Sequence, residues 1–285
     1  MLAGLTQGSI YALIALGFVT IYNVTGIINF AQGEFAMLGA MFMVSLEPLG
    51  LPLPASFLLA VAGTTLGGGA MERLTIHPAR RASVLTLIII TIGVDIGLRG
   101  VALLAWGTDP YPLPPFTAGP PVTLGGAIIT RQALWIIGAT AATLAAVYLF
   151  FEHTFLGKAV RACAINRLSA RLTGIRPDRM SLLAFALSAG LGAVGGIVIA
   201  PLTLVSYDMG LNLGLRGFVA AIMGGFVSGP GAVVGALLLG VLEAVGTGLT
   251  RAAFKETIAF LVLFLILFFR PQGIFGRGVG RGAGL

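Results

Sequence analysis

A few polar and charged residues interrupt the long apolar runs of this sequence, and they limit the chemistry that the chain can perform. Asn29, Gln32 and Glu34 lie close together in the glycine-punctuated stretch NVTGIINFAQGEF, residues 23–35. A carboxylate in contact with lipid is costly, so we expect Glu34 to face water or the interior of a helix bundle. The stretch has two interpretations. Either its side chains line or gate a pathway, or Glu34 caps a half-helix and holds the broken segment together.

Three other ionisable residues lie inside or beside apolar runs. Asp95 and Arg99 are four positions apart in the run 84–106 and therefore share one face of a helix. We interpret them as an intrahelical ion pair that lowers the cost of insertion, in preference to a proton relay. Glu243 is the single charged residue of its run, and we expect it to form a hydrogen bond with a neighbouring helix.

The sequence contains no enzyme signature. Its two histidines, His77 and His153, flank basic loops without cysteine or carboxylate partners at metal-site spacing. It has no Walker motif, so the chain lacks a phosphate-binding loop for a nucleotide. We therefore predict a non-catalytic chain without a metal or a cofactor. If its activity is driven by ATP, another subunit must supply the nucleotide site.

The composition predicts a membrane protein. Of the 285 residues, 57% are hydrophobic and 9% are charged, and the mean hydropathy is +1.02, far outside the range of soluble domains. We predict an all-α fold, a polytopic inner-membrane bundle of about eight transmembrane helices forming one domain over 1–285. Broken or re-entrant segments are expected at 23–46, where the run 36–46 is too short to span, and at 217–227, which ends at SGPG.

The distribution of basic residues orients the bundle. Six of the 17 basic residues fall within 23 positions, 157–179. The positive-inside rule places this loop, 152–180, and the shorter basic loop 72–83 in the cytoplasm. The longest loop without basic residues, 107–130, is rich in proline and is placed on the outer side. Four basic residues, Arg216 among them, are assigned to outer boundaries. Because topology explains the net charge of +7, we predict no nucleic-acid partner.

The basic loop predicts one helix over 159–173 on the membrane surface, since this stretch lacks glycine and proline. Gly174 stands where a C-terminal glycine would end that helix. An apolar stripe is expected at four-residue spacing, with Arg161, Arg167 and Arg171 at its edges or opposite it; the stripe comprises Val160, Ala164, Leu168 and Leu172. Such a helix could lie on lipid headgroups or fit a socket on another protein.

At these positions the chain resembles the permease subunits of bacterial ABC importers for branched-chain amino acids, in particular the first of the two permeases of the heterodimer. The resemblance begins with GLTQGSIYALIALGFVTIYNVTGIINFAQGEFAMLGA, residues 4–40, of which 28–40 is the most specific part. It continues with the cytoplasmic segment RACAINRLSARLTGI, residues 161–175, and the ending FFRPQGIFG, residues 268–276. One departure is Ile165, where the family more often has an acidic residue.

This resemblance implies a complex of several subunits. A second homologous permease would pair with the chain in the membrane lipid of the inner membrane, two cytoplasmic ATPase subunits would dock below, and a periplasmic substrate-binding protein would deliver leucine, isoleucine, valine or a related substrate. The loop helix would be the coupling helix, with Arg161, Arg167 and Arg171 contacting the ATPase and Gly174 terminating the helix. The bundle would alternate access around a central path near the broken segments, where the candidate residues are Asn29, Gln32 and Glu34.

Other functions are compatible with the residues. Related members of the family carry urea or short amides, so the substrate class stays open. A stand-alone ion- or proton-coupled carrier would also permit broken helices and the carboxylate of Glu34. That carrier would tolerate charge reversal of Arg167 and Arg171, whereas an importer would lose its energised transport. A non-transporting scaffold is disfavoured by the 42 glycines and the polar groups inside the membrane.

Overall fold

The computed structural model describes residues 1–124, 127–249 and 255–276, and these residues form a helical bundle. Gly125 and Gly126 of the proline-rich loop lie outside the described residues. The helices, in chain order, are α1 (Leu2–Thr25), α2 (Gln32–Leu46), α3 (Leu53–Met71), α4 (Val84–Trp106), α5 (Arg131–His153), α6 (Phe155–Ile165), α7 (Arg167–Leu172), α8 (Pro177–Ile199), α9 (Met209–Gly224), α10 (Gly229–Leu249) and α11 (Lys255–Phe269). A short antiparallel hairpin in the proline-rich loop pairs β1 (Val122–Leu124) with β2 (Ala127–Ile129), so the described fold is helical apart from this hairpin.

Within the described residues, six helices are long and apolar enough to cross a membrane. They are α1, α3 with the π-helical turn Glu72–Ile76, α4, α5, α8 and α10. The helices α2, α9 and α11 contain 15, 16 and 15 residues and are shorter than a full span. The expected polytopic helical bundle is confirmed. The two segments expected to be broken correspond to α2 and α9.

Burial separates an inner group of helices from an outer group. In α1 and α8, most of the apolar residues are buried, whereas α3, α4 and α5 expose most of theirs. The innermost helix, α1, packs against α8, α9 and α10. A helix that is apolar on every side is typical of a bundle core or of a surface in contact with lipid. The sequence alone does not distinguish these two cases, and the packing shows that α1 and α8 belong to the first.

Glycines let pairs of inner helices approach closely. A Cβ added at Gly8 of α1 would lie 2.8 Å from the backbone oxygen of Ala236 in α10. A Cβ added at Gly196 of α8 would overlap with the backbone oxygen of Ala36 in α2. Small residues at helix crossings are the usual means of packing in membranes, where lipid provides little hydrophobic drive for association. The short helix α2 is therefore held in place by the shape of its contact with α8.

Contacts between distant segments close the two ends of the bundle. At the basic end, the segment after α11 returns to the α9–α10 turn, where Ile274 N donates to Met223 O at 2.8 Å and Phe275 N donates to Gly224 O at 3.2 Å. At the opposite end, the proline-rich loop is tied to the segment after α8 by two backbone hydrogen bonds between Tyr111 and Val205, at 2.8 and 2.9 Å. The two ends differ in charge as the sequence predicts.

Candidate functional site

The broken segment brings polar side chains to the middle of the bundle. Gly26 ends α1 with a φ of 72°, a conformation that favours glycine, and α2 begins six residues later. Gln32, the first residue of α2, is fully buried and pairs with Ser188, half-way along α8. The Ser188 hydroxyl donates to Gln32 Oε1 at 2.5 Å, and Gln32 Nε2 donates to Ser188 O at 3.1 Å. The start of α2 therefore lies at the depth of the centre of α8.

The turn before α2 is stabilised by its own polar groups and by α4. Asn29 Oδ1 accepts a hydrogen bond from Ala31 N at 3.2 Å, and the hydroxyl of Thr91 in α4 accepts one from Phe30 N at 3.2 Å. The Asn29 side chain is fully buried, and its Nδ2 makes no hydrogen bond within the described residues. Irregular backbone at membrane depth needs such partners because no water is available to satisfy it.

Glu34 belongs to a buried cluster of three charges. Its Oε1 lies 3.5 Å from Arg99 Nη2, and the same guanidinium group donates to Asp95 Oδ2 at 2.5 Å. The intrahelical ion pair predicted for Asp95 and Arg99 is confirmed. Two carboxylates share one guanidinium group, and neither oxygen of Glu34 makes a hydrogen bond within the described residues.

Two helix N-termini meet at the Glu34 carboxylate. Glu34 lies in the first turn of α2, and a Cβ added at Gly210, in the first turn of α9, would lie 2.7–2.8 Å from its carboxylate atoms. The N-terminal end of a helix carries partial positive charge and stabilises a nearby anion. The Glu34 carboxylate therefore lies between the first turns of α2 and α9. Both interpretations of Glu34, a pathway residue or a cap that holds the broken segment together, stay predictions.

A second buried cluster joins α1, α9 and α10. Tyr11 Oη donates to Glu243 Oε2 at 2.8 Å, and Arg216 Nε lies 3.5 Å from Glu243 Oε1. The hydrogen bond expected between Glu243 and a neighbouring helix is confirmed. The assignment of Arg216 to an outer boundary is wrong. Since α9 begins inside the bundle, Arg216 lies within it, and its charge is offset by the carboxylate of α10.

The predicted path residues are enclosed by protein in this conformation. The side chains of Asn29, Gln32 and Glu34 all have 0% exposure. Asn29 lies in the turn before α2, and Gln32 and Glu34 lie in the first helical turn of α2. Side chains and backbone of α4, α8 and α9 surround them. Their participation in a translocation path stays a prediction, since the path would have to open around them.

The prediction of one helix over 159–173 is wrong, because the segment forms α6 and α7 with a break at Asn166. Asn166 has φ −155° and ψ 107°, and its Oδ1 accepts hydrogen bonds from Leu168 N at 2.9 Å and Ser169 N at 3.0 Å. An asparagine side chain in this position satisfies the first amide groups of a new helix and competes with continuation of the previous one.

The break also changes which side chains are buried. Val160 and Cys163 of α6 pack against Val24 at the end of α1, whereas Leu168 and Leu172 of α7 are 68% and 81% exposed. The continuous apolar stripe expected from Val160 to Leu172 is therefore wrong. Cys163 is 1% exposed, and burial raises the pKa of its thiol. It fills space between α6 and the bundle.

The three arginines predicted to contact an ATPase have different environments. Arg161 of α6 donates two hydrogen bonds to the Glu152 carboxylate, at 2.6 and 3.1 Å, and these hydrogen bonds raise the pKa of its guanidinium group. Arg167 and Arg171 of α7 are exposed, and they make no ion pair or side-chain hydrogen bond within the described ranges. Arg161 is directed to the end of α5, whereas α7 presents two unpaired cations.

Gly174 terminates α7, as expected. Its φ is 86°, and two hydrogen bonds close the end of the helix: Gly174 N donates to Arg171 O at 3.1 Å, and Ile175 N donates to Ala170 O at 3.0 Å. This pattern is the Schellman motif, in which a residue in the left-handed conformation ends a helix. The motif fixes the direction in which the chain leaves α7 and enters α8.

Sequence reasoning did not identify Tyr11, Ser188 or Arg216 as members of these clusters. One signal for Arg216 was present, since it and Glu243 are single charges of opposite sign in neighbouring apolar segments. Tyr11 and Ser188 lie 232 and 156 residues from their partners. Their pairing therefore depends on which helices pack together, and no local pattern reports it.

The helical bundle, with six helices long and apolar enough to cross a membrane in its described part, is that of a multi-pass membrane protein. Residues 1–268 match the family described as the permease component of the branched-chain amino acid transport system. The chain belongs to this family of ABC importer permeases. It is therefore a non-catalytic, multi-pass protein of the inner membrane, and an importer of this class includes ATPase and substrate-binding partners.

Individual relatives match over nearly the whole chain. The permease protein LivH of the high-affinity branched-chain amino acid transport system of Salmonella typhimurium is 33% identical, with coverage of 97% of this chain and 94% of its own. BraD, the corresponding protein of Pseudomonas aeruginosa, is 34% identical, with coverage of 96% and 94%. The ribose import permease protein RbsC of Haemophilus influenzae is 25% identical, with coverage of 92% and 81%.

A solved structure shares the fold. PsaBC from Streptococcus pneumoniae, in complex with Fab, superposes with a TM-score of 0.51 and 12% sequence identity, covering 95% of this chain and 91% of the solved chain. At this level of identity the likeness concerns the arrangement of helices alone. The shared arrangement extends over almost the full length of the chain.

Proposed function

We propose that this chain forms the translocation path for branched-chain or related amino acids in an ATP-driven importer. The observation that carries this proposal is the identity of 33–34% with LivH and BraD over at least 96% of the chain, since both are named for branched-chain amino acid transport. The chain would work beside a second homologous permease, above two cytoplasmic ATPase subunits and below a periplasmic substrate-binding protein.

Coupling to ATP hydrolysis is assigned to α7, within the loop 152–180. The exposed side chains of Leu168 and Leu172 provide an apolar surface, and Arg167 and Arg171 provide unpaired positive charge beside it. Exposed apolar side chains with arginines at their rim are typical of docking surfaces. The Schellman motif at Gly174 keeps this short helix at a fixed angle to α8. Arg161 acts differently, since its ion pair with Glu152 fixes α6 to the end of α5.

The substrate path is assigned to the buried polar layer of Asn29, Gln32 and Glu34. These groups lie where α2 and α9 begin, at the depth where substrate sites of transporters with discontinuous helices are found. In this conformation Gln32 pairs with Ser188, whereas Asn29 Nδ2 and both carboxylate oxygens of Glu34 make no hydrogen bond within the described residues. A change in the packing of α8 would separate Gln32 from Ser188 and expose these polar groups to an amino acid that carries its own charges.

The experiment is purification of the tagged chain from its native membrane in mild detergent, followed by identification of its partners and reconstitution for ATP-dependent uptake of labelled leucine. The charge reversal Arg167→Glu/Arg171→Glu is compared with Lys158→Glu/Arg270→Glu, which reverses two exposed cations outside α7. We expect the α7 variant to insert normally. The amount of ATPase that co-purifies with it should be lower than with the control by a factor of about ten or more.

Three outcomes would contradict the proposal. Purification without an ATPase, or equal retention of an ATPase by both variants, would show that α7 is not the coupling element. Uptake driven by an ion gradient in the absence of ATP would indicate a stand-alone carrier. Uptake of urea or short amides in place of leucine, isoleucine and valine would leave the importer intact and overturn its assigned substrate.

A further inference from the structure

The loop after α3, the end of α7 and the start of α8 line an open cavity of about 540 Å³ at the basic end of the bundle. We call it the basic cavity, and its lining includes His77 and the five arginines Arg73, Arg80, Arg171, Arg176 and Arg179. The two contributing segments are far apart in sequence and are joined by the ion pair between Arg80 Nη1 and Asp178 Oδ2, at 2.8 Å and 98 positions of separation. A topology signal requires only that cations lie on one side of the membrane. It does not require them to converge on one cavity.

The basic cavity has more cations than the nearby carboxylates can neutralise. Asp178 is its acidic lining residue and is already paired with Arg80. Glu72 is buried behind the wall and interacts electrostatically with His77 and Arg73. In the described part of the chain, four arginines of the lining make no ion pair within 4 Å and no side-chain hydrogen bond; they are Arg73, Arg171, Arg176 and Arg179. Guanidinium groups held together in this way repel one another, and an anion between them would offset the repulsion.

The donors in the basic cavity suit a phosphate group. Guanidinium groups bind phosphate oxygens with pairs of parallel hydrogen bonds. The 23-residue helix α8 begins at Pro177 in the cavity wall without a capping side chain, and its uncapped N-terminus adds a favourable field for an anion. A neighbouring cleft of about 350 Å³ shares Arg80, Arg171 and Asp178 with the basic cavity and adds Arg81 and Arg167, which extends the positive surface.

Apolar surface beside the basic cavity identifies the source of the phosphate. Leu74 next to Arg73 is 74% exposed, and Val84 and Leu85 at the start of α4 are 56% and 68% exposed. Further exposed apolar side chains follow along α3 and α4, among them Leu66 and Ile89. A soluble phosphate ion would leave this apolar surface exposed to water, whereas the acyl chains of a phospholipid would cover it.

We infer that the basic cavity binds the headgroup phosphate of an anionic phospholipid from the cytoplasmic leaflet, with the acyl chains lying along α3 and α4. Basic pockets between transmembrane helices on the cytoplasmic side are suited to such headgroups. This site is separate from the buried polar layer and goes beyond the proposed transport function. The lipid would connect the loop after α3 to the start of α8, next to α7.

The test is titration of the delipidated, full-length chain, with the partners that it retains, followed by native mass spectrometry. Phosphatidylglycerol is compared with phosphatidylcholine of the same acyl chains. The variant Arg73→Gln/Arg179→Gln removes two lining cations, and Lys158→Gln/Arg270→Gln is the matched control, with the same loss of charge at exposed positions outside the basic cavity.

We expect the wild type to bind phosphatidylglycerol at least about tenfold more tightly than phosphatidylcholine. The cavity variant should bind phosphatidylglycerol about 30-fold more weakly than the wild type. Each of the two removed cations contributes about 1 kcal/mol near an anionic surface, and about 1.4 kcal/mol corresponds to a factor of ten in affinity. The control should stay within about twofold of the wild type. Raising the salt concentration should also reduce the preference of the wild type for phosphatidylglycerol over phosphatidylcholine. This measurement uses the wild type alone and tests the inference even if the cavity variant fails to insert.

Several results would overturn the inference. One is an equal affinity of the cavity variant and the control for phosphatidylglycerol. Another is complete displacement of the lipid by millimolar inorganic phosphate, which would identify a site for the soluble ion. A third is a cavity variant that binds phosphatidylglycerol normally but no longer retains an ATPase, since the basic cavity would then be a protein contact. The variant Arg73→Lys/Arg179→Lys keeps both charges but not the paired guanidinium hydrogen bonds, so it should lose less phosphatidylglycerol affinity than the cavity variant; an equal loss in the two variants would count against an electrostatic contribution.

Discussion

Replacing Arg99 by an uncharged residue should strongly destabilise the bundle, because two buried carboxylates would then lose their shared cation. Arg99 Nη2 lies 2.5 Å from Asp95 Oδ2 and 3.5 Å from Glu34 Oε1, and the Glu34 side chain has 0% exposure. With an effective dielectric constant of about 20, unit charges at the longer distance interact by about 5 kcal/mol. Removing one partner of a buried pair costs about 3–5 kcal/mol. We expect Arg99→Met to lower the free energy of unfolding by an amount in this range.

The measurement is denaturation in mixed micelles, followed by circular dichroism, on three variants beside the wild type. Lys158→Met is the control, since it removes an exposed cation and should change the free energy of unfolding by less than about 1 kcal/mol. Adding Glu34→Gln to Arg99→Met removes one of the two unpaired charges and should recover at least about half of the loss. Our account of the cluster would be refuted if Arg99→Met were as stable as the control, or if Glu34→Gln destabilised it further.

Three other predictions test separate parts of the structure. Gly196→Val should prevent α2 from packing on α8 and abolish the monodisperse peak in size-exclusion chromatography, whereas Gly67→Val, where an added Cβ meets nothing within 4 Å, should leave the peak unchanged. Gly174→Ala should cost about 1–2 kcal/mol at a φ of 86° and reduce ATPase retention in co-purification; equal retention would argue against a fixed end of α7. Cys163 should react slowly with maleimide at neutral pH, because its raised pKa leaves less thiolate at each pH. Its reaction rate should still rise at a pH where the rate of an exposed thiol has levelled off. The variant Ser169→Cys in a Cys163→Ala chain supplies the exposed thiol for comparison, and equal rates for the two thiols would contradict the burial of Cys163.

The broken segments could be predicted because their causes are local. The run 36–46 is too short to span, and the polar stretch before it cannot be left in lipid, so length and polarity alone place a half-helix there. Glu34 was correctly expected to face the interior for the same reason. Asp95 and Arg99 were paired from their four-residue spacing. In each case the deciding quantity, the number of residues or the period of a helix, can be read from adjacent positions.

The remaining features depend on competition or on distant packing. A stretch without glycine or proline favours one helix over 159–173, but Asn166 can cap a new helix with its side chain, and the burial of Val160 and Cys163 against α1 decides between the two arrangements. Arg216 was assigned to the outer side because hydropathy does not show that α9 begins inside the bundle. The cost of burying the charge of Arg216 is offset by Glu243, which is 27 positions away and on another helix.

The connection from α7 to α8 is short, and it links the exposed helix α7 directly to a helix that reaches the middle of the bundle. Four residues, 173–176, separate the last residue of α7 from Pro177, and the Schellman motif sets their path. From Pro177 to Ser188 the chain is one uninterrupted helix of about 17 Å at 1.5 Å per residue. We expect a displacement of α7 by a partner to be transmitted along α8 towards the contact between Ser188 and Gln32 in the middle of the bundle.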